Sequence, residues 1–347
     1  MKTLFIGLGG VGQRHMRNLI NLRKDVQIAA VRKYGRTFEI TNSLHANKEV
    51  DIIKKYGIKI YPSINEAVKF KPDFAVVANP TSLHLETCLE LINKNIPVLL
   101  EKPISSSYEG LAKLVENIKN NKIKVSIGYQ MRFHSNAILI KDLLENNKLG
   151  KIYSVHISIN SYMPKWHDFE NYKDYYVGRK DLGGGVILTE IHEIDLLFWY
   201  FGLPNRLWAI GGKLSSFDID VEDTVNVLIE YKYNGNYFPV NLHMSYVQQP
   251  PSRVIIIRGE KGTLNWDIQK GLTWHNVESK KDNKLIIGSK NRNELFIDLM
   301  DDFVSSIVLG YPSKTNIESV LGGHQIALNI KESLWTNKII DFKSKLI

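Results

Sequence analysis

The short apolar run TLFI leads directly into Gly7, Gly9 and Gly12, and those glycines lead directly into the helical stretch VGQRHMRNLINL. No other feature constrains the fold as tightly. In this strand–loop–helix setting the first glycine makes a tight turn, the second lets backbone approach a pyrophosphate, and the third lets helix pack on strand. Further apolar runs arrive on a βαβ schedule: Val26 to Val31, Phe74 to Ala78, the amphipathic Leu83 to Asn93, then Val98 to Leu100. FAVVA and VLL have no polar alternate face, as expected of parallel strands covered on both sides. The expectation is a doubly wound α/β, Rossmann-type domain over residues 1–125 with a dinucleotide at its glycine loop.

Beyond about residue 150 the period changes to two. Tyr153, Val155, Ile157 and Ile159 alternate with Ser154, His156, Ser158 and Asn160. VNVLIEYKY, FPVNLHMSYV and SRVIIIRGEKGTLNW repeat that style, with Asn234-Gly235 as a turn signal. Residues 126–347 are therefore expected to form an α+β domain built on an open antiparallel sheet, with helices in ELFIDLMDDFVSSIVLG and VLGGHQIALNIKESLW. An open sheet leaves a broad face uncovered in a monomer, so self-association as a homodimer or homotetramer is expected.

Composition narrows the partners. The 347 residues carry a formal charge of +9, but the basic residues are scattered and run no further than pairs such as Lys54-Lys55, which points to small anionic ligands rather than nucleic acid. A single cysteine, Cys88, excludes an intramolecular disulfide and a cysteine zinc cluster, and the histidines show no ligand spacing, so no metal is expected. No apolar run approaches the roughly 20 residues of a membrane span, and MKTLFIGLGG shows no cleavage site, so a cytoplasmic setting is expected.

The candidate site residues follow from position. Gly7, Gly9, Gly10, Val11 and Gly12 form the dinucleotide loop. Where an NAD site usually carries an acid at the end of the second strand, this chain has Arg32, with Lys33 and Arg36 close behind. A guanidinium suits a 2′-phosphate, so NADPH is expected to bind better than NADH; the other reading of Arg32 is a plain exposed basic residue. IPVLL runs into Glu101-Lys102-Pro103, which sets Lys102 at the ligand edge of the sheet, where its ammonium can donate a proton to a carbonyl oxygen as hydride arrives. Gly183-Gly184-Gly185 precede VILTEIHEIDLLFWYF, read as one helix ending at Gly202. On it Thr189, His192 and Asp195 share a face, and Glu190 and Glu193 point elsewhere unless the helix is irregular at its start. Asp195 is placed to orient His192 for proton transfer, or the two merely anchor a buried helix.

Together GLGGVG, the Asn79-Pro80 turn closing VVANP, EKP, GYQMRF and GGGVILTEIHEIDLLFWYFG resemble the Gfo/Idh/MocA family of glucose-fructose oxidoreductase and inositol dehydrogenase-like enzymes, over nearly the whole chain. The resemblance implies a Rossmann domain, an open-sheet domain and a substrate pocket between them. It implies Lys102 and His192 as catalytic residues, and Asn79, Pro80, His84, Glu101 and Lys102 beside the glycine loop around the cofactor. Arg132 and Asp195 match family positions on the substrate side. Many members carry an aspartate four residues before the histidine; here that residue is Leu188, so either Lys102 and His192 suffice or Glu190 joins through a distorted first turn. The stretch from Trp166 to Lys180 looks like a subgroup of surface-sugar pathways, which places Trp166, Tyr176 and Arg179 with Thr189 on the substrate side. The implied activity is an NADP-dependent (or NAD-dependent) interconversion of hydroxyl and ketone on a sugar, amino sugar, nucleotide-linked sugar or cyclitol. Reduction of an imine or tetrapyrrole, and a non-catalytic nucleotide-binding regulator, are the alternatives.

Overall fold

A computed structural model describes residues 1–32, 35–277, 281–285 and 291–342. Six parallel strands stand in the order Lys59–Tyr61, Gln27–Val31, Lys2–Ile6, Phe74–Val77, Val98–Leu100 and Val125–Ile127. The order reverses beside Lys2–Ile6, and open α/β sheets take ligands at such a switch point, beyond the carboxyl ends of the strands. Ile6 is level with Val31 on one side and Val77 on the other, so the glycine loop, Arg32 and the Ala78–Pro80 turn leave the sheet on one edge. Phe74–Val77 and Val98–Leu100 are buried throughout. The expected domain border at residue 125 falls on the first residue of the sixth strand.

The second sheet has nine strands. Their order is Lys281–Leu285, Gly271–Asn276, Gly262–Asp267, Val247–Gly259, Ile152–Tyr162, Asn236–Ser245, Thr224–Tyr233, Arg206–Gly212 and Ile340–Asp341. It is antiparallel except where Ile152–Tyr162 runs parallel to Asn236–Ser245. Asn234 and Gly235 have φ of 49° and 80°, the two left-handed residues that a tight hairpin requires between Thr224–Tyr233 and Asn236–Ser245. Val225, Val227, Ile229 and Tyr231 face inward and are buried. Trp208, Ile210, Leu228 and Tyr237 stand exposed, Trp208 paired with Leu228 in register.

The carboxyl-terminal helices Arg292–Leu309 and Ile317–Thr336 tie the two domains together. Phe303 packs edge-on against Phe74 at 5.3 Å, and Asn293 exchanges side-chain hydrogen bonds with Asn18 at 3.0 and 3.3 Å. Among the described residues no helix is long and apolar enough to cross a membrane.

The stretch after the glycine triplet departs from the single helix expected. It forms two helices, Val186–Thr189 and His192–Phe201, with Glu190 between them at φ −97°, ψ 32°. The break has a tertiary cause. The Lys102 ammonium donates to the Thr189 carbonyl at 2.5 Å, so that acceptor is pulled toward the Rossmann domain.

Candidate active site

The three motif glycines do three different things. A side chain on Gly7 would come within 2.5 Å of the Ala78 carbonyl oxygen, and one on Gly12 would run into the Gly7 carbonyl oxygen. Around Gly9 there is nothing within 4 Å. The helix Gly10–Leu22 starts at that opening with no side-chain cap and no acid in its first turn, so the N–H groups of Gly10, Val11 and Gly12 face the space. Unsatisfied amides at the positive end of a helix fit a pyrophosphate. Asn79 donates to Thr87 at 3.0 Å and leaves its own buried Oδ1 unpartnered at the same edge. These residues fit a nicotinamide dinucleotide.

Lys102 is anchored from beneath. Glu101 Oε1 lies 2.7 Å from Nε2 of the fully buried His15, while Glu101 Oε2 accepts the Lys102 backbone N–H at 3.2 Å. Burial opposes ionisation of Glu101, but His15 and Lys102 outweigh it and hold the carboxyl below its usual range. Gly128 leaves room for that carboxylate, since a Cβ there would stand 2.9 Å from it. The Lys102 ammonium is pushed below its ordinary value by burial, with Glu190 and Glu101 partly restoring it. Glu101 is thus a brace under Lys102. His84, also expected beside the cofactor, is another brace: its Nδ1 lies 2.6 Å from the Pro103 carbonyl oxygen and its Nε2 2.9 Å from that of Asn79.

His192 opens the second helix. Gln130 donates to its Nε2 at 3.0 Å, and its buried Nδ1 has no partner among the described residues. Burial, then the charges of Lys102, Arg253 and Arg292, hold the ring well below the usual imidazole range, so it is neutral at pH 7. With Nε2 accepting, Nδ1 carries the proton.

The expected pairing of Asp195 with His192 does not form. Asp195 instead takes a two-pronged ion pair from Arg132, Nε to Oδ2 at 2.8 Å and Nη2 to Oδ1 at 2.7 Å, and both side chains are buried. Arg132 also stacks over Trp199 and donates to the Ser319 carbonyl at 3.0 Å. Two opposite charges sealed in a helix interface satisfy each other, so Arg132 and Asp195, both expected on the substrate side, are spent on one another.

Glu190 and Glu193 are the acids that reach the site edge, because the helix break turns them toward the nine-stranded sheet. Arg253 sits 2.6 Å from Glu193 and 3.7 Å from Glu190. Sequence reading passed over Arg253, although it shares a strand face with the buried Ile255 and Ile257, and a lone arginine at an apolar-phase position is a signal. Arg292, in the first turn of its helix, is the second cation that was missed.

The loop from 163 to 180 divides the remaining candidates. Trp166 lies edge-on to the buried Tyr246 at 5.3 Å, and Tyr176 packs edge-on against Tyr175 at 4.9 Å. Burial, followed by the nearby charges of Glu101 and Glu190, raises the Tyr176 hydroxyl. Arg179 is spent on Asp181 at 2.6 Å on the outside. The same loop grips the Rossmann domain through Glu170 on Arg36 at 2.5 Å and Asp168 on His45 at 2.8 Å. Arg36, expected on the cofactor, is therefore engaged by Glu170 and Phe169. Lys33 lies outside the described residues. Arg32 donates to the Arg36 carbonyl at 2.5 Å and keeps a buried Nη1 without a partner.

Among known proteins, the description "Oxidoreductase family, NAD-binding Rossmann fold" matches residues 1–129, and "GFO/IDH/MocA C-terminal domain" matches residues 138–265. The chain is 28% identical over 235 residues to glucose-6-phosphate 3-dehydrogenase of Bacillus subtilis, covering 66% of this chain and 61% of that one. It is 26% identical to 2,7-anhydro-N-acetylneuraminate hydratase of Escherichia coli, covering 57% of this chain and 52% of that one. The chain thus spans between half and two thirds of the length of these two relatives. Its fold is similar to that of the WlbA dehydrogenase from Bordetella pertussis in complex with NADH and UDP-GlcNAcA, with a TM-score of 0.78 and 18% identity over 99% of both chains. Two matched domains in sequence, the glycine cradle and the lysine on the ligand edge lead to one conclusion: the chain belongs to the Gfo/Idh/MocA family of oxidoreductases.

Proposed function

We propose that this chain is an NADP-preferring oxidoreductase of the cytoplasm that interconverts a hydroxyl and a ketone on a sugar, amino sugar, nucleotide-linked sugar or cyclitol, in surface-polysaccharide biosynthesis. Residues 1–125 hold the dinucleotide, and residues 126–347 hold the substrate and the contacts between subunits. The observation that carries this reading is the Lys102 ammonium, held to the Thr189 carbonyl at the ligand edge of the parallel sheet, near a neutral His192 with a free ring nitrogen.

A bound nicotinamide would supply the hydride or accept it. Lys102 then donates its proton to the oxygen that becomes a hydroxyl, and recovers it in the opposite direction. The His192 Nδ1–H fixes that oxygen by hydrogen bond. Gly7, Gly9, Gly10, Val11, Gly12, Asn79 and Pro80 hold the dinucleotide, while Tyr176 and Trp166 wall the sugar side. Arg32 favours the 2′-phosphate, because its unpaired Nη1 stands where an aspartate would serve a ribose hydroxyl. Arg32→Asp is expected to move the affinity ratio toward NADH by about tenfold or more, roughly 1.4 kcal/mol, in a calorimetric titration. An unchanged ratio removes Arg32 from the site.

Self-association through the open sheet belongs to the same reading. Leu228 is 55% exposed on the uncovered face, beside Trp208. Leu228→Glu is expected to shift the protein to monomers in light scattering, because a buried unpaired carboxylate is costly at a self-complementary interface. A wild type that is already monomeric contradicts this part.

A further inference from the structure

We infer that the substrate carries an anionic substituent, a phosphate or a carboxylate, and that Arg292 together with Arg253 receives it; this rests on the oxidoreductase reading and names the substrate class of the same site. The first turn of Arg292–Leu309 lies across the helix of the glycine loop. Asn293 exchanges hydrogen bonds with Asn18, and Phe296 packs at 5.5 Å from the His15 ring and 4.8 Å beneath the Arg14 guanidinium. His15 is the residue that holds Glu101 under Lys102. That chain of contacts brings Arg292 to the mouth of the site from the Rossmann side, while Arg253 enters from the nine-stranded sheet.

The two arginines differ in what they have left to give. Arg253 is shared between Glu193 and Glu190, with a side chain only 23% exposed. The Arg292 side chain is exposed and forms no ion pair or hydrogen bond among the described residues, so its guanidinium has a full set of donors to offer. Around the site stand four cations, Arg14, Lys102, Arg253 and Arg292, against three carboxylates, Glu101, Glu190 and Glu193; Glu101 is already paired to His15. The surplus is felt locally. The Arg14 guanidinium is pushed down to about 10 by burial and then by Arg292, and both Lys102 and His192 feel Arg292 in the same sense. Cations gathered without enough counter-charge are stabilised by a ligand that brings it, and a guanidinium fork matches phosphate or carboxylate oxygens. Arg179, which the resemblance sets on the substrate side, is ion-paired with Asp181 at the surface.

The test uses full-length protein saturated with NADPH, so that hydroxyl sugars bind without reacting. Glucose, glucose 6-phosphate and glucuronate are titrated in by calorimetry. At least one anionic sugar should bind about tenfold tighter than glucose or better. In Arg292→Met the two affinities should converge to within about twofold with NADPH affinity retained, and Arg292→Lys, which keeps the charge but loses the fork, should lie between. Equal binding of all three sugars, binding of none, or a ratio that survives Arg292→Met overturns the inference; so does a matching loss of NADPH affinity, which assigns the arginine to the cofactor. Tight binding of an anionic sugar without hydride transfer from it to NADP⁺ would leave the anion site standing and remove the oxidoreductase reading. Oxidation of glucose with no preference for its anionic forms would do the reverse.

Discussion

Lys102→Met is expected to lower turnover by about a thousandfold while the affinity for NADPH stays within about twofold, because a positioned proton donor contributes roughly 10²–10⁴ and the methionine keeps the length of the side chain. The structure separates the two functions. The dinucleotide cradle is built from Gly7, Gly9, Gly12 and the amides of the first helical turn, whereas the ammonium reaches away to the Thr189 carbonyl. The pH profile gives a second handle. Burial lowers the Lys102 ammonium below its ordinary value of 10.5, against the pull of Glu190 and Glu101. Ketone reduction needs the protonated lysine, so kcat/KM in that direction should be level at lower pH and fall as pH rises through the lowered value. In the oxidation direction the same group must accept a proton, and the limb should rise instead. Steady-state kinetics in both directions checks this. A Lys102→Met variant with full activity would give the proton transfer to His192.

Arg132→Met is the second large effect, and it should appear in stability. The arginine meets Asp195 through two bonds of 2.7 and 2.8 Å, both side chains being sealed from solvent. Removing one member of such a pair leaves an uncompensated buried charge, at a cost of about 3–5 kcal/mol. Burial already raises the Asp195 carboxyl above its usual range even though Arg132 opposes that shift. Without Arg132 the shift grows. A carboxyl whose folded pKa lies above the unfolded value binds more protons in the folded state, so stability falls as pH rises through that interval. The deficit of Arg132→Met should therefore be larger at pH 8 than at pH 5, read from urea denaturation followed by fluorescence. Replacing both residues, as Arg132→Met with Asp195→Leu, should recover much of the loss. A single variant as stable as wild type would mean that the pair is solvated.

Local chemistry made much of this legible in the sequence. The strand–GxGxxG–helix order is nearly deterministic, because Gly7 and Gly12 sit where any side chain meets backbone, and unbroken apolar runs such as FAVVA can only be covered on both faces. The alternation over Val155, Ile157 and Ile159 likewise set the strand and its buried face, whereas at the two ends of the pattern Tyr153 stands exposed and Asn160 is buried. What could not be read depends on partners far along the chain. VILTEIHEIDLLFWYF carries no glycine or proline to mark a break, and the interruption at Glu190 arises where Lys102, 87 residues away, takes the Thr189 carbonyl. Helical spacing put His192 and Asp195 on one face, but Arg132, 63 residues from Asp195, claimed the carboxylate. Arg36 was drawn off by Glu170 in the same way. Spacing reports which residues share a face; only the fold decides which long side chain reaches it first.

The dinucleotide site is tested most directly by the affinity of the purified protein for NADPH and for NADH, measured by calorimetry after removal of any copurified nucleotide. Both should bind, with NADPH tighter by about tenfold or more. Binding of neither would contradict it outright, since a cradle with open space at Gly9 and an uncapped helix start would then hold no dinucleotide.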